Sequence, residues 1–103
     1  MLEKLNEKSI EILADAILSL ETREECLNLL EDLCTISEVK AMAQRIEVAG
    51  MLEDRVVYSD IVRQTGASTA TISRVNRALN YGAGGYKAVL EKLEAKKNSG
   101  ETK

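Results

Sequence analysis

The sequence has no proline, histidine, tryptophan or phenylalanine, and only two cysteines. Each absence narrows the field. With proline missing, aromatics at 3% and Ala, Leu, Ile, Glu and Lys dominant, the balance favours helices over strands. Without histidine, and with Cys26 and Cys34 as the only thiols, a zinc site is hard to assemble. The two cysteines, eight residues apart on one helical pattern, read as reduced core thiols. No run of 18 apolar residues exists, and the start Met1-Leu2-Glu3-Lys4 lacks a basic-then-apolar signal pattern. A cytoplasmic protein without a membrane partner is expected. Catalysis finds no footing either. The carboxylates fall on solvated helix faces, and Gly82-Ala83-Gly84-Gly85 lacks both a preceding strand and a Lys-Ser/Thr sequel. The expectation is no enzyme, no catalytic residue and no metal.

What is present is periodicity and punctuation. The 103 residues suffice for one domain with a modest core, and short helical chains often complete a core by dimerising. Leu5, Ile12, Leu13, Ala16, Ile17 and Leu20 recur at helical steps, predicting an amphipathic helix over Leu2–Leu20. Thr22 with Glu25, and Thr35 with Glu38, are two capping boxes that open the second and third helices. The expected apolar faces are Cys26, Leu27, Leu30, Leu33 and Cys34, then Val39, Met42, Ile46, Ala49 and Leu52. The period breaks at Glu53–Val57, which predicts a turn. Helical pattern resumes at Ser59 and ends at Asn80, before the glycine-rich loop. A last helix, Tyr86 to about Lys97, is predicted to bury Tyr86, Val89, Leu90 and Leu93, ahead of a polar, disordered tail at 98–103.

The net charge of −3 conceals a polarised chain. Residues 1–54 carry five basic and thirteen acidic groups, whereas 55–87 carry Arg55, Arg63, Arg74, Arg77 and Lys87 against Asp60 alone. An acidic body with one basic segment can turn a single surface toward phosphate.

That basic segment contains a helix-turn-helix at residues 58–80. Ser59 can cap a short helix ending near Thr65, Gly66 supplies a left-handed reversal, and Ser68 or Thr69 caps the next helix. Ile61, Ala67, Ile72, Val75 and Leu79 point inward. Ser68, Thr69, Ala70, Thr71, Ser73, Arg74 and Arg77 remain outward: a slim, hydroxyl-rich face with two cations, suited to the major groove. Val62 departs from the motif, which favours Ala or Gly where the helices approach. The competing reading is that Gly66 merely ends one helix of an ordinary bundle, or that the motif serves protein contacts.

Gly66-Ala67, Ala70-Thr71-Ile72, Ser73-Arg74 and Leu79 resemble the reader head of the tryptophan repressor superfamily, most closely its TrpR-like YerC/YecD branch. Upstream, Thr35 with Glu38, then Ala41, Gln44-Arg45-Ile46 and Leu52, fit the preceding helix, and the similarity runs over about residues 10–95. The resemblance implies an all-α, six-helix fold in an interlaced homodimer. Residues 1–57 would be the helical dimerisation segment, 58–80 the reading head and 81–97 a helix packing on the dimer core. It implies a palindromic operator read by two recognition helices about 34 Å apart. It maps DNA contacts onto Tyr58, Ser59, Ser68, Thr69, Ala70, Ser73 and Arg77. It also maps a corepressor site onto Thr35, Arg45 and Arg74. Two departures weigh against L-tryptophan as its ligand: Val75 stands where the repressor has Gly, and Ala78 where it has Ser. Another small effector, or none, stays open. The expected function is a dimeric, sequence-specific transcriptional regulator, a repressor. The rival is a helical adaptor that binds a protein through its acidic N-terminal helices.

Overall fold

The computed structural model describes Leu2 and residues 6–100. Among the described residues there are six α-helices and no strand: α1 (Glu7–Leu18), α2 (Arg23–Leu33), α3 (Ile36–Glu53), α4 (Tyr58–Thr65), α5 (Thr69–Tyr81) and α6 (Gly85–Asn98). The all-α architecture expected from composition is therefore what the chain adopts. Leu5 of the first predicted helix, and 101–103 of the predicted tail, lie outside the described residues. Asn98 and Ser99, assigned to that tail, instead close and cap α6.

Hydrogen-bonding side chains set most helix starts. Asn6 Oδ1 accepts from the Ser9 amide at 3.1 Å, and Thr22 Oγ1 accepts from the Glu25 amide at 3.1 Å. Thr35 and Glu38 form a reciprocal box: the Glu38 amide donates to Thr35 Oγ1 at 3.1 Å and the Thr35 amide to Glu38 Oε1 at 2.7 Å. Ser68, rather than Thr69, caps α5 by accepting from the Thr71 amide. Such caps stabilise a helix by about 1 kcal/mol each. Ser59 does not cap α4. Val57 occupies that position without a side-chain bond, and Ser59 sits within the first turn.

The end of α3 is a Schellman motif. The Arg55 amide donates to the Leu52 carbonyl at 3.0 Å, and the Val56 amide to Met51 at 2.9 Å. Arg55 accordingly takes φ +63°. A side chain in this left-handed region costs about 1 kcal/mol relative to glycine. The predicted turn at Glu53–Val57 is this motif.

The chain separates into two compact units, residues 1–39 and 40–103. The first contains α1, α2 and the start of α3, and none of its described residues is fully buried. Ile12, Ile17, Leu18, Leu27, Leu33 and Ile36 are each more than half exposed. Leu27 and Leu33 thus depart from the inward face expected of α2, while Cys26, Leu30 and Cys34 are half-buried. Two short helices and a helix start cannot enclose one another's apolar stripes.

The second unit holds the core. Val48 and Ala49 of α3, Ile61 of α4, Ala67 of the turn, and Ile72 and Val75 of α5 form one buried cluster, edged by Met51, Leu52, Val56, Val62, Tyr86 and Leu90. α5 packs against both α4 and α6. Val62 fits despite its size because it lies at the edge of the cluster. Two expectations fail here. Ile46, predicted inward, is 41% exposed, because the buried face of α3 is centred on Val48 and Ala49. On α6, Val89 and Leu93 are about half exposed, and only Tyr86 and Leu90 reach the core.

Candidate nucleic-acid interface

α4 and α5 are joined by a turn whose geometry rests on Thr65, Gly66 and Ala67. Gly66 ends α4 with φ +75°, and its amide donates to the Val62 carbonyl at 2.8 Å. Thr65 Oγ1 donates to the Ile61 carbonyl at 2.7 Å and accepts from the Ala67 amide at 3.1 Å. The Ala67 methyl is buried in the core, so the chain cannot leave the turn without breaking these contacts. Gln44 Nε2 of α3 donates to the Thr65 carbonyl at 3.2 Å, fastening the turn to the helix beneath it. Thr65 and Gln44 were not among the predicted site residues. The signal for Thr65 is its position, a hydroxyl next to the glycine, where it can bridge the turn.

α5 is divided lengthwise. Ile72, Val75 and Leu79 are buried on one side. At about 100° per residue, Thr69, Ala70, Ser73, Arg74 and Arg77 fall within an arc of roughly 140° on the other. All five are exposed. Ser68 is exposed too, but its hydroxyl is engaged in the cap and with Thr71 Oγ1 at 3.1 Å, and Thr71 is half-buried. Those two hydroxyls organise the start of the helix, and the hydroxyls of Thr69 and Ser73 have no partner among the described residues. The stripe continues to Asn80 and to Tyr81, which is 86% exposed. Both were missed in the sequence, although steps of three and four from Arg77 reach them. Asn80 is braced by its amide, which donates to the Asn76 carbonyl at 2.9 Å.

Tyr58 and Ser59 lie in the first turn of α4, both exposed. Val57 offers no side-chain cap, and the Asp60 amide donates to the Val57 carbonyl at 3.1 Å, so only the first two amides of the turn are without an acceptor among the described residues. Among the cations of the basic segment, Arg63 is tied to Asp60 at 2.8 Å. Arg55, Arg74 and Arg77 have no side-chain partner among the described residues. Elsewhere in the unit, Glu53, Asp54, Glu91 and Glu94 line a cleft between α3 and α6 together with Leu90, Leu93 and Lys97.

The three residues mapped to a corepressor site are accounted for separately. Thr35, in the first unit, uses its hydroxyl to cap α3, accepting from the Glu38 amide and lying 3.2 Å from Ser37 Oγ. Glu38 is held below the usual carboxylate range, first by the Thr35 amide and then by its hydroxyl. Arg45 and Arg74, in the second unit, are exposed and form no ion pair among the described residues. Val75 is 2% exposed and part of the core, while Ala78 is at the surface.

A family model described as "Trp repressor protein" matches residues 8–94. The uncharacterised protein YerC of Bacillus subtilis (strain 168) is 45% identical over 102 residues, spanning 99% of this chain and 98% of its own. A crystal structure of a Staphylococcus aureus protein provisionally assigned as a Trp repressor aligns with TM-score 0.87 at 44% identity, covering 91% of this chain and 94% of the other. A TrpR-like protein from Eubacterium eligens aligns with TM-score 0.86 at 52% identity, covering 89% and 95%.

Proposed function

The chain belongs to the Trp repressor protein family, and we propose that it is a sequence-specific DNA-binding transcriptional repressor acting as a homodimer. Members of this family are regulators, not enzymes. The observation that carries the reading is the exposed stripe of α5: small hydroxyl and methyl side chains leading, two unpaired arginines following. In the major groove, Thr69 and Ser73 hydroxyls meet base edges and the Ala70 methyl meets a thymine methyl. Arg74 and Arg77 reach phosphates or the O6/N7 edge of guanine. Tyr58 and Ser59 meet the sugar-phosphate backbone, as the first helix of such a motif does.

The dimer is supported by the first unit. Its apolar faces are uncovered in the single chain, and a second copy would cover them. The same faces favour the rival reading, a helical adaptor. Sedimentation separates the two: a tight dimer supports the regulator, and a monomer supports the adaptor.

The decisive experiment is selection of bound duplexes from a random pool, with and without L-tryptophan. Recovery of a palindromic consensus with half-sites about one helical turn apart is expected. Enrichment of nothing above the starting pool overturns the proposal. Arg45, Arg74 and Thr35 are the residues to vary if the consensus is recovered only with ligand.

A further inference from the structure

Arg55 is the residue that local structure explains least. It is the one non-glycine with positive φ among the described residues, at a helix end where glycine would be unstrained. An outlier of this kind points from observed strain toward a role for the side chain. That role is not a local contact. Arg55 is exposed, and its guanidinium forms no hydrogen bond or ion pair among the described residues, although Glu53 and Asp54 are its immediate neighbours in the chain. Its hydrophobic neighbour Val56 packs against the core, so the turn itself is anchored without the arginine. What Arg55 contributes is a free positive charge at a defined place.

The place is the edge of the candidate interface. Only Val56 and Val57 separate Arg55 from Tyr58, so the two Cα atoms lie within about 11 Å. A guanidinium on a flexible stem can span to a phosphate adjoining those met by Tyr58 and Ser59. Resting on the DNA-binding reading above, we propose that Arg55 is an additional phosphate-contacting residue, kept in a strained backbone position because its charge strengthens DNA binding. It would act on every sequence alike, since phosphate contacts carry no base information.

The test compares the full-length chain with Arg55→Gly and Arg55→Lys. The probe is a labelled mixed-sequence duplex of about 30 base pairs, titrated across a range of salt. Thermal unfolding is followed in parallel. Arg55→Gly is expected to raise Tm by about 4 °C or more, through relief of the left-handed strain. It should also weaken DNA binding by roughly three- to tenfold and flatten the plot of log K against log salt by about one unit per subunit. Arg55→Lys should keep the parent affinity and slope. If the parent binds the duplex and Arg55→Gly binds with the same affinity and slope, the inference is overturned and the DNA-binding reading stands. An unchanged or lower Tm for Arg55→Gly overturns the strain argument. Failure of the parent itself to bind at low salt removes both.

Discussion

Gln44 and Thr65, twenty-one residues apart in sequence, are joined by a hydrogen bond from the Gln44 side-chain amide to the Thr65 carbonyl at 3.2 Å. That carbonyl belongs to the last turn of α4, and Gly66 immediately reverses the chain. The bond fixes the helix-turn-helix to α3, and with it the angle at which α5 is presented. Replacing Gln44 by Leu leaves a half-buried carbonyl short of a partner. A loss of about 1 kcal/mol is expected, read as a lower urea midpoint at unchanged m-value. Thr65→Val, which removes two bonds and keeps the shape, should cost more. A Gln44→Leu variant as stable as the parent would show that water replaces the bond at no loss.

The α5 arginines should separate binding from folding. Arg74→Ala with Arg77→Ala removes two exposed, unpaired charges from a helix whose core residues are untouched. Helix content by circular dichroism should match the parent, and duplex binding at physiological salt should fall at least a hundredfold, as expected for two lost charged contacts on each subunit. Retention of parent affinity would move the interface away from α5.

Two glycines should respond differently to alanine. At Gly66 the backbone is left-handed but nothing crowds a new methyl, so the expected cost is the conformational strain, about 1–2 kcal/mol. At Gly82 the φ is ordinary, yet a Cβ would run into the Ala78 carbonyl oxygen of the preceding turn. Backbone cannot yield as a flexible side chain can, so Gly82→Ala should displace the link between α5 and α6 and cost about 1–3 kcal/mol. Denaturation midpoints of the two variants check both values. Equal stability of Gly82→Ala and the parent would mean that the close approach relaxes freely.

The α3 cap should give stability an acid limb. Thr35 donates to and organises the ionised Glu38 carboxylate, which lowers the pKa in the folded state below its unfolded value. The unfolded chain therefore binds the proton more readily. The stabilisation is complete above the ordinary glutamate range and is lost as pH falls through the folded-state value. Urea midpoints of the parent and Glu38→Ala should differ at neutral pH and converge on acidification. A gap independent of pH would show that charge is not what the cap uses.

The caps and the turn were legible in the sequence because they are local. Thr22 with Glu25 and Thr35 with Glu38 need only residues three apart and a helix to form, whereas the start of α5 left Ser68 and Thr69 as equal candidates until the structure showed Ser68 accepting from the Thr71 amide. Gly66 and the inward set Ile61, Ala67, Ile72, Val75 and Leu79 were legible for the same reason, since one glycine and one helical period specify them. Ser59 misled because a serine ahead of a helix resembles a cap, and the true start depended on where the α3 turn released the chain. The wrong face of α3, with Ile46 in place of Val48, reflects a helix rich enough in apolar residues to offer more than one stripe.

By itself, then, the sequence determined the six helices, most of their boundaries, and the slim basic face at Thr69, Ala70, Ser73, Arg74 and Arg77. These follow from propensities, caps and a period that act within a few residues. Tertiary structure alone decided which stripe of α3 is buried and that Gln44 holds the turn. Burial and pairing depend on what stands opposite a residue, and that is set by packing between helices rather than by any one segment.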